Sequence, residues 1–223
     1  MMSYSTSAPT KHNLSSKRVD LLTPAPRLSR KKRLFDLLFS LLVIVFMLSW
    51  MIPLAGLMIR LTSAGPVIFV QLRSGRNGQP FRCLKFRTMY YDKQAHFSQA
   101  VRNDPRVTWI GSFLRRTNLD EMPQFINVLL GQMSIVGPRP HAVNHDAQFW
   151  FRLKNYPLRY QVTPGITGLA QVRGNRGLTS QLIEMEHRVR YDRFYISRRS
   201  LWFDLRICAW TVKKMLAGDK KAH

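Results

Sequence analysis

"LFDLLFSLLVIVFMLSWMIPLAGLMI", residues 34 to 59, decides the fold, because no residue from Leu37 to Ile59 is charged. As straight helix at ~1.5 Å per residue, these positions cover about 34 Å, enough to cross a bilayer. The run starts late and no small-residue cleavage site follows it, so a cleaved signal peptide is not expected. Both flanks are basic: Arg30, Lys31, Lys32 and Arg33 precede it, and Arg60, Arg73, Arg76, Arg82, Lys85 and Arg87 follow. Positive flanks favour the cytoplasmic side, so a straight span would place one cluster wrongly. Pro53, with Ser49 and Gly56 nearby, removes a backbone donor and can bend the helix. The expectation is a re-entrant helix over 32–63, broken around Ser49 and Pro53; a single spanning helix is the alternative.

Charge sets the class of partner. The chain has 223 residues, with 35 Lys and Arg against 12 Asp and Glu, a formal net charge of +23. Such an excess suits nucleic acid, anionic lipid or phosphate-bearing substrates. The apolar run, and the lack of a nucleic-acid-binding motif, count against nucleic acid. Residues 1–31, rich in Ser, Pro and basic residues, read as a disordered tail. Cys83 and Cys208 are too isolated for a disulfide framework or zinc site. His141 and His145 follow a Pro-Arg-Pro turn, and no metal role is expected of them.

Beyond the apolar run the pattern becomes that of a small mixed domain, 64–223. "PVIFVQLR" (66–73) and "FRCLKFRTM" (81–89) read as two strands of a hairpin joined through Asn77-Gly78. "VTWIGSFLRR" (107–116) reads as a short helix. A second helix is expected from near Asn118 to Gly131, with Asn118 and Glu121 as a capping box. That places the adjacent acids Asp120 and Glu121 at a helix N-terminus, where they could simply complement the helix dipole. "VGPRP" (136–140) and "TPGITGLAQVRGNRG" (163–177) combine turn residues with Arg, which suits phosphate binding as well as ordinary connections. The C-terminal stretch reads as amphipathic helix suited to a membrane surface or to core packing.

The stretches "KRLFD" (32–36), "GPVIFVQLRSGRNGQPF" (65–81), "KFRTM" (85–89), "NDPRVTWIGSFLRRTNLDEMPQFINVLLGQMSIVGPRP" (103–140), "PGITGLAQVRG" (164–174) and "SLWFDLRI" (200–207) occur in this order. Together they resemble the bacterial sugar transferase family, the monotopic phosphoglycosyl transferases. The resemblance implies a small membrane-associated α/β (α+β) domain on the cytoplasmic face of the bacterial inner membrane. It implies transfer of a sugar-1-phosphate from a UDP-sugar to undecaprenyl phosphate, with release of UMP, in exopolysaccharide or capsule assembly. Asp120 would be the nucleophile and Glu121 its helper, the two together holding Mg²⁺. Arg115 and Arg139 would bind the diphosphate, with Lys85, Arg87, Arg173 and Arg176 as further candidates. The family's adjacent Ser-Pro helix break is here separated into Ser49 and Pro53. The segment 172–196 resembles members that use glucose or galactose, with Arg176 and Glu184 or Glu186 as candidate hydroxyl contacts. A homodimer is possible. A non-catalytic scaffold is disfavoured because Asp120, Glu121, Arg115 and Arg139 are all intact.

Overall fold

The computed structural model describes residues 29–92, 100–101, 103–175 and 182–217. Most of the tail expected over 1–31, and Arg176, lie outside the described residues. Helix and short strands are mixed, as expected. Helix α1 (Arg30–Val43) passes through a π-helical turn (Ile44–Leu48) into α2 (Ser49–Thr62). At the π turn the Ser49 N–H bonds the Ile44 carbonyl, five residues back. Two side chains serve the carbonyls there: Ser49 Oγ donates to Val45 O at 2.6 Å, and Trp50 Nε1 to Phe46 O at 2.8 Å. Pro53 lies inside α2. The helical irregularity therefore precedes Ser49, upstream of the stretch between Ser49 and Pro53 expected from sequence. The whole segment is long and apolar enough to cross a membrane.

Both ends of this segment are fastened to one body. At its start Arg33 donates from both Nη atoms to the carbonyls of Val128 (2.7 Å) and Leu129 (2.9 Å). Lys32 Nζ lies 2.6 Å from Asp204 Oδ2. The Asp36 carboxylate is buried and accepts from Ser134 Oγ (2.8 Å) and the Ile135 N–H (3.2 Å). At its other end, Arg87 donates to the carbonyls of Ser63 (2.7 Å) and Ala64, which closes the C-terminus of α2. Between these anchors the apolar surface faces outward: Phe46 is 68% and Trp50 55% exposed, and Leu38, Leu42, Leu54 and Leu57 are exposed with them. A contiguous apolar face of this kind marks a membrane or protein contact.

The hairpin forms as its pattern predicts. Strand β1 (Ile68–Ser74) pairs antiparallel with β2 (Pro80–Phe86), in register from Ile68 opposite Phe86 to Ser74 opposite Pro80. Asn77 (φ 57°) and Gly78 (φ 73°) both take positive φ, as the Asn-Gly turn requires. Phe81 and Cys83 are buried, and Lys85 follows on the same face of β2. Helices α3 (Trp109–Thr117) and α4 (Gln124–Leu129) come next. Thr108 caps α3 by accepting the Gly111 N–H at 3.0 Å. Gly111 is required there, since a Cβ would lie 2.0 Å from the Thr88 carbonyl.

The two Gly- and Pro-rich stretches meet each other. They form short parallel strands, β3 (Ser134–Val136) and β4 (Gly165–Thr167). The Gly137 N–H bonds Thr167 O and the Gly165 N–H bonds Pro138 O, both at 2.9 Å. A Cβ on Gly165 would sit 2.0 Å from Gly137 N, so the backbones can approach this closely only without side chains. These two amides pair with each other's segments rather than wait for a phosphate. Helix α5 (Val143–Phe149) follows the Pro-Arg-Pro turn, and α6 (Leu169–Val172) follows β4. The C-terminal stretch forms α7 (Leu182–Arg198) and α8 (Leu201–Ala217). Tyr195 on α7 places its hydroxyl 2.8 Å from Asp204 on α8 and 3.0 Å from the Val136 carbonyl, which joins both helices to β3.

Asp36→Ala would leave the Ile135 N–H without its acceptor and the Ser134 hydroxyl with the Val136 carbonyl at 3.1 Å in place of the carboxylate. The expected loss is about 3 kcal/mol, from breaking one partner of a buried polar network. Lys31→Ala, on an exposed residue of the same helix, should change stability by less than about 0.5 kcal/mol. Thermal melting in detergent micelles compares the two.

Candidate active site

The turn between α3 and α4 is tight because Asn118 ends α3 in the left-handed region, at φ 60°. Its side chain makes no cap bond, so the capping box expected of Asn118 and Glu121 does not form. A single 3-10 turn, Leu119–Glu121, follows, and Pro123 leads into α4. The continuous helix expected from 118 to 131 is thus two pieces, and α4 ends at Leu129, with Gly131 beyond its cap at φ 79°. The 3-10 turn carries Asp120 and Glu121, both buried, toward the hairpin and the segment after β3.

Glu121 is gripped from two sides. Lys85 Nζ on β2 lies 2.7 Å from its Oε1. Arg139 donates through Nη1 to Oε2 at 3.1 Å and through Nη2 to Oε1. This forked pairing is the strong geometry for a guanidinium and a carboxylate. Asp120 is held more loosely, with its Oδ2 at 3.7 Å from Lys85 Nζ. Arg115, at the end of α3, donates through Nε to Thr88 Oγ1 at 2.8 Å. Burial raises the Asp120 pKa above the ordinary carboxylate value; Lys85 opposes the rise, the Glu121 charge adds to it, and Arg115 and Arg139 oppose it. Burial lowers the Arg115 pKa, against the pull of Asp120. Arg139 also loses by burial, but the Glu121 charge and hydrogen bond outweigh that and raise its pKa.

Residues that the sequence did not single out hold this set in place. Asn127 on α4 is buried, accepts the Leu84 N–H at 3.0 Å and donates to Arg82 O at 2.7 Å. It clamps β2 to α4 on both sides of Cys83, next to Lys85. Arg73 donates to the Pro140 carbonyl (2.9 Å) and Arg159 to the Arg139 carbonyl (2.8 Å). Arg159 is itself paired with buried Asp192 at 2.9 Å. Gln124, buried just after the acids, has an amide nitrogen with no hydrogen-bond partner among the described residues. No spacing in the sequence marks Arg159 or Asp192. Asn127 and Gln124 lie within a stretch already quoted, but polar residues inside an apolar helical pattern were the only signal.

Other expected residues lie elsewhere. Arg87 is buried on the carbonyls of Ser63 and Ala64 just past α2, so its charge supports the end of the helix instead of a diphosphate. Arg173 is exposed and stacks on Trp210, its guanidinium carbon 5.0 Å from the ring centroid. Glu184 and Glu186 lie in the first turns of α7. His141 is buried against Arg159, which lies 2.6 Å from its Nδ1, and burial with that nearby charge holds its pKa well below the usual value. Among the described residues no three His, Cys, Asp or Glu side chains are grouped for a metal. Mg²⁺ does not require three, since it commonly binds through one or two carboxylates plus substrate phosphates and water. Asp120 and Glu121 fit that donor set. The Asp120 carboxylate has the looser contacts with neighbouring cations, and Glu121 would share its oxygens with Lys85 and Arg139.

The chain is similar to named proteins over this whole region. It is 49% identical, over 184 residues, to the UDP-glucose:undecaprenyl-phosphate glucose-1-phosphate transferase of Klebsiella pneumoniae, covering 82% of this chain and 39% of that protein. A protein of the same name from Caulobacter vibrioides is 45% identical over 199 residues, covering 88% of this chain and 74% of the relative. The UDP-N-acetylgalactosamine-undecaprenyl-phosphate N-acetylgalactosaminephosphotransferase of Aeromonas hydrophila is 36% identical over 207 residues, 92% of this chain and 48% of that protein. The chain thus spans well under half the length of the Klebsiella relative. The family model described as bacterial sugar transferase matches residues 28–218, which takes in both anchors of the apolar helix and all of the carboxylate site, and the chain belongs to the bacterial sugar transferase family.

Proposed function

We propose that this chain transfers a sugar-1-phosphate from a UDP-sugar to undecaprenyl phosphate at the cytoplasmic face of the bacterial inner membrane. The observation that carries this reading is the buried Asp120–Glu121 pair, with Lys85 and Arg139 on Glu121 and Asp120 less tightly engaged. An Asp120 oxygen attacks the phosphorus bonded to the sugar. The bond to the bridging oxygen breaks, and UMP leaves with the electron pair. A phosphate oxygen of undecaprenyl phosphate then attacks the same phosphorus and breaks its bond to Asp120. Two displacements replace one, which is the gain of covalent catalysis.

Attack of one anion on another needs cations nearby. Lys85, Arg115 and Arg139 supply them, and Glu121 holds Lys85 and Arg139 at a fixed spacing. Mg²⁺, held by Asp120 and Glu121, would neutralise further charge on the diphosphate. The 33-residue helical segment enters the membrane and returns, which leaves the tail and the catalytic domain on one side; this reading is supported by the two sets of anchors on one body. Glucose is proposed as the sugar, supported by the names of the more similar relatives.

Asp120→Asn should reduce nucleotide release at least about 10³-fold with the melting temperature retained, since an amide cannot attack phosphorus. Glu121→Gln should cost about 10²- to 10³-fold through lost positioning of its two cations, and the double variant should be no worse than Asp120→Asn alone. A phosphosugar trapped on any other residue would refute the assignment. The reactive form of Asp120 is ionised, so kcat/KM should fall as pH drops through a pKa lying above 3.8. Because Lys85 lowers that pKa, Lys85→Met should move the acid limb to higher pH.

Topology can be read by labelling in sealed inverted vesicles. With Cys83 and Cys208 replaced, single cysteines at Ser5 and at exposed Lys154 should react equally with a membrane-impermeant reagent. Labelling from opposite sides would mean a spanning helix. A panel of nucleotide sugars, scored by UMP release with Mg²⁺ and undecaprenyl phosphate, should rank UDP-glucose first, then UDP-galactose, above UDP-N-acetylated sugars. Preference for an acetamido sugar would overturn the choice of glucose and leave the chemistry intact.

A further inference from the structure

The 3-10 turn that carries the acids joins α4 without a change of hand. Met122 and Pro123 both take right-handed helical φ and ψ, and the Phe125 and Ile126 N–H groups bond the Met122 and Pro123 carbonyls, each at 3.1 Å. In such a backbone, side chains three residues apart lie one above the other. Glu121, Gln124 and Asn127 therefore form one row. Both ends of the row face β2: Glu121 meets Lys85, and Asn127 bonds the backbone at Arg82 and Leu84. Gln124 lies between them and is only 1% exposed.

The Gln124 amide nitrogen has no hydrogen-bond partner among the described residues. Asp120 is four residues back, a spacing at which glutamine and aspartate can bond along a helix, yet the amide does not donate to it. A buried donor left without an acceptor lowers stability, and native folds carry few of them. Lys85 and Arg139 are engaged by Glu121, whereas this neighbouring amide is uncommitted.

We propose that Gln124 is a catalytic donor, its amide N–H bonding a non-bridging oxygen of the phosphoryl group that Asp120 receives. This assignment rests on the aspartyl reading proposed above. Helical side chains lean toward the helix N-terminus, which carries the amide back over the turn bearing Asp120 and Glu121. As the Asp120 oxygen approaches phosphorus, charge builds on the non-bridging oxygens beside that turn. A fixed donor in a buried site stabilises such charge without having to reorganise. The amide is neutral, so it adds this bond without demanding a further counter-charge in the empty site.

The test pairs thermal melting of the ligand-free full chain in neutral-detergent micelles with UMP release in the presence of Mg²⁺ and undecaprenyl phosphate. Gln124→Met keeps the side-chain length and removes both amide N–H groups. Its melting temperature should equal or exceed the native value, because a donor without an acceptor is lost. Its kcat should fall about 10²-fold with KM little changed, the pattern of a bond made in the transition state. Sulfur in place of one non-bridging oxygen on the sugar-bonded phosphorus should slow the native chain in one diastereomer. The same sulfur should slow Gln124→Met much less, since both changes remove one bond. Gln124→Leu, also without a donor, decides the matter on kcat and the sulfur effect if Gln124→Met does not fold. A clearly lowered melting temperature in folded Gln124→Met would make the amide structural. Native kcat without the amide, or an undiminished sulfur effect, would remove it from the chemistry. Any of these overturns the proposal. Asp120→Asn, run alongside, separates the two readings: if it loses release while Gln124→Met keeps it, the transferase reading stands and the role of Gln124 falls. A native chain that releases no UMP from any sugar of the panel overturns both.

Discussion

Glu121 is shared by two cations that arrive from different parts of the chain, and the site exists only while both are in place. Lys85 comes from β2 and Arg139 from the segment after β3, while the carboxylate itself sits on a 3-10 turn between α3 and α4. A buried carboxylate deprived of one partner is costly, on the order of 3–5 kcal/mol. The three segments are therefore held to one another as much by charge as by apolar packing. Each is also fixed independently. Asn127 fixes β2, the pairing with β4 fixes β3, and Arg159 with Asp192 fixes the backbone of Arg139. Asp120, beside this clamp, is buried but less tightly paired, with its Oδ2 at 3.7 Å from Lys85 Nζ.

The large positive charge has two uses that a charge count does not separate. Part of it faces outward, as in Arg30, Lys31 and Arg82. Part of it closes helix ends from inside the fold. Arg33 occupies the last carbonyls of α4, and Arg87 those of Ser63 and Ala64 directly after α2, with the Ile59 carbonyl of α2 at 3.4 Å. Helix C-termini leave carbonyls without partners and carry partial negative charge, so an arginine fork suits them twice over. For the same reason the basic flanks of the apolar helix overstate the charge offered to a membrane surface. Two of the four residues in the first flank, Lys32 and Arg33, are engaged within the protein.

What could be read from the sequence followed from local pattern. The hairpin was legible because alternation and Asn77-Gly78 coincide, and α3 because its apolar face repeats at helical spacing. The strands β3 and β4 were not, since three residues each are too short to show a period and their pairing spans about thirty residues of chain. The break at Asn118 was missed because an Asn before two acids looks like an N-cap, and only its left-handed φ shows that it ends the preceding helix. Arg87 is a further phosphate candidate in the sequence only through the family resemblance, while its hydrogen-bond partners in the fold are some twenty-five residues away in the chain. Asp120, Glu121, Lys85 and Arg139 do come together, and the reason lies in contacts that no local pattern encodes.

The apolar helix and the carboxylate site are mechanically joined. Arg33, in the first turn of α1, closes the end of α4, and α4 follows directly from the turn that bears Asp120 and Glu121. Arg87, which closes the end of α2, is two residues beyond Lys85 on the same run of chain. Asp36 ties α1 to β3, and β3 leads into Arg139. The segments that bring Lys85 and Arg139 to Glu121 are thus each anchored to one end of the apolar helix or the other. A shift of either end of this helix would reach the Lys85–Glu121–Arg139 spacing through only a few residues of chain. The outward apolar face and the buried charged site are in this sense joined, since residues at the two ends of the helix also fix the segments around Asp120.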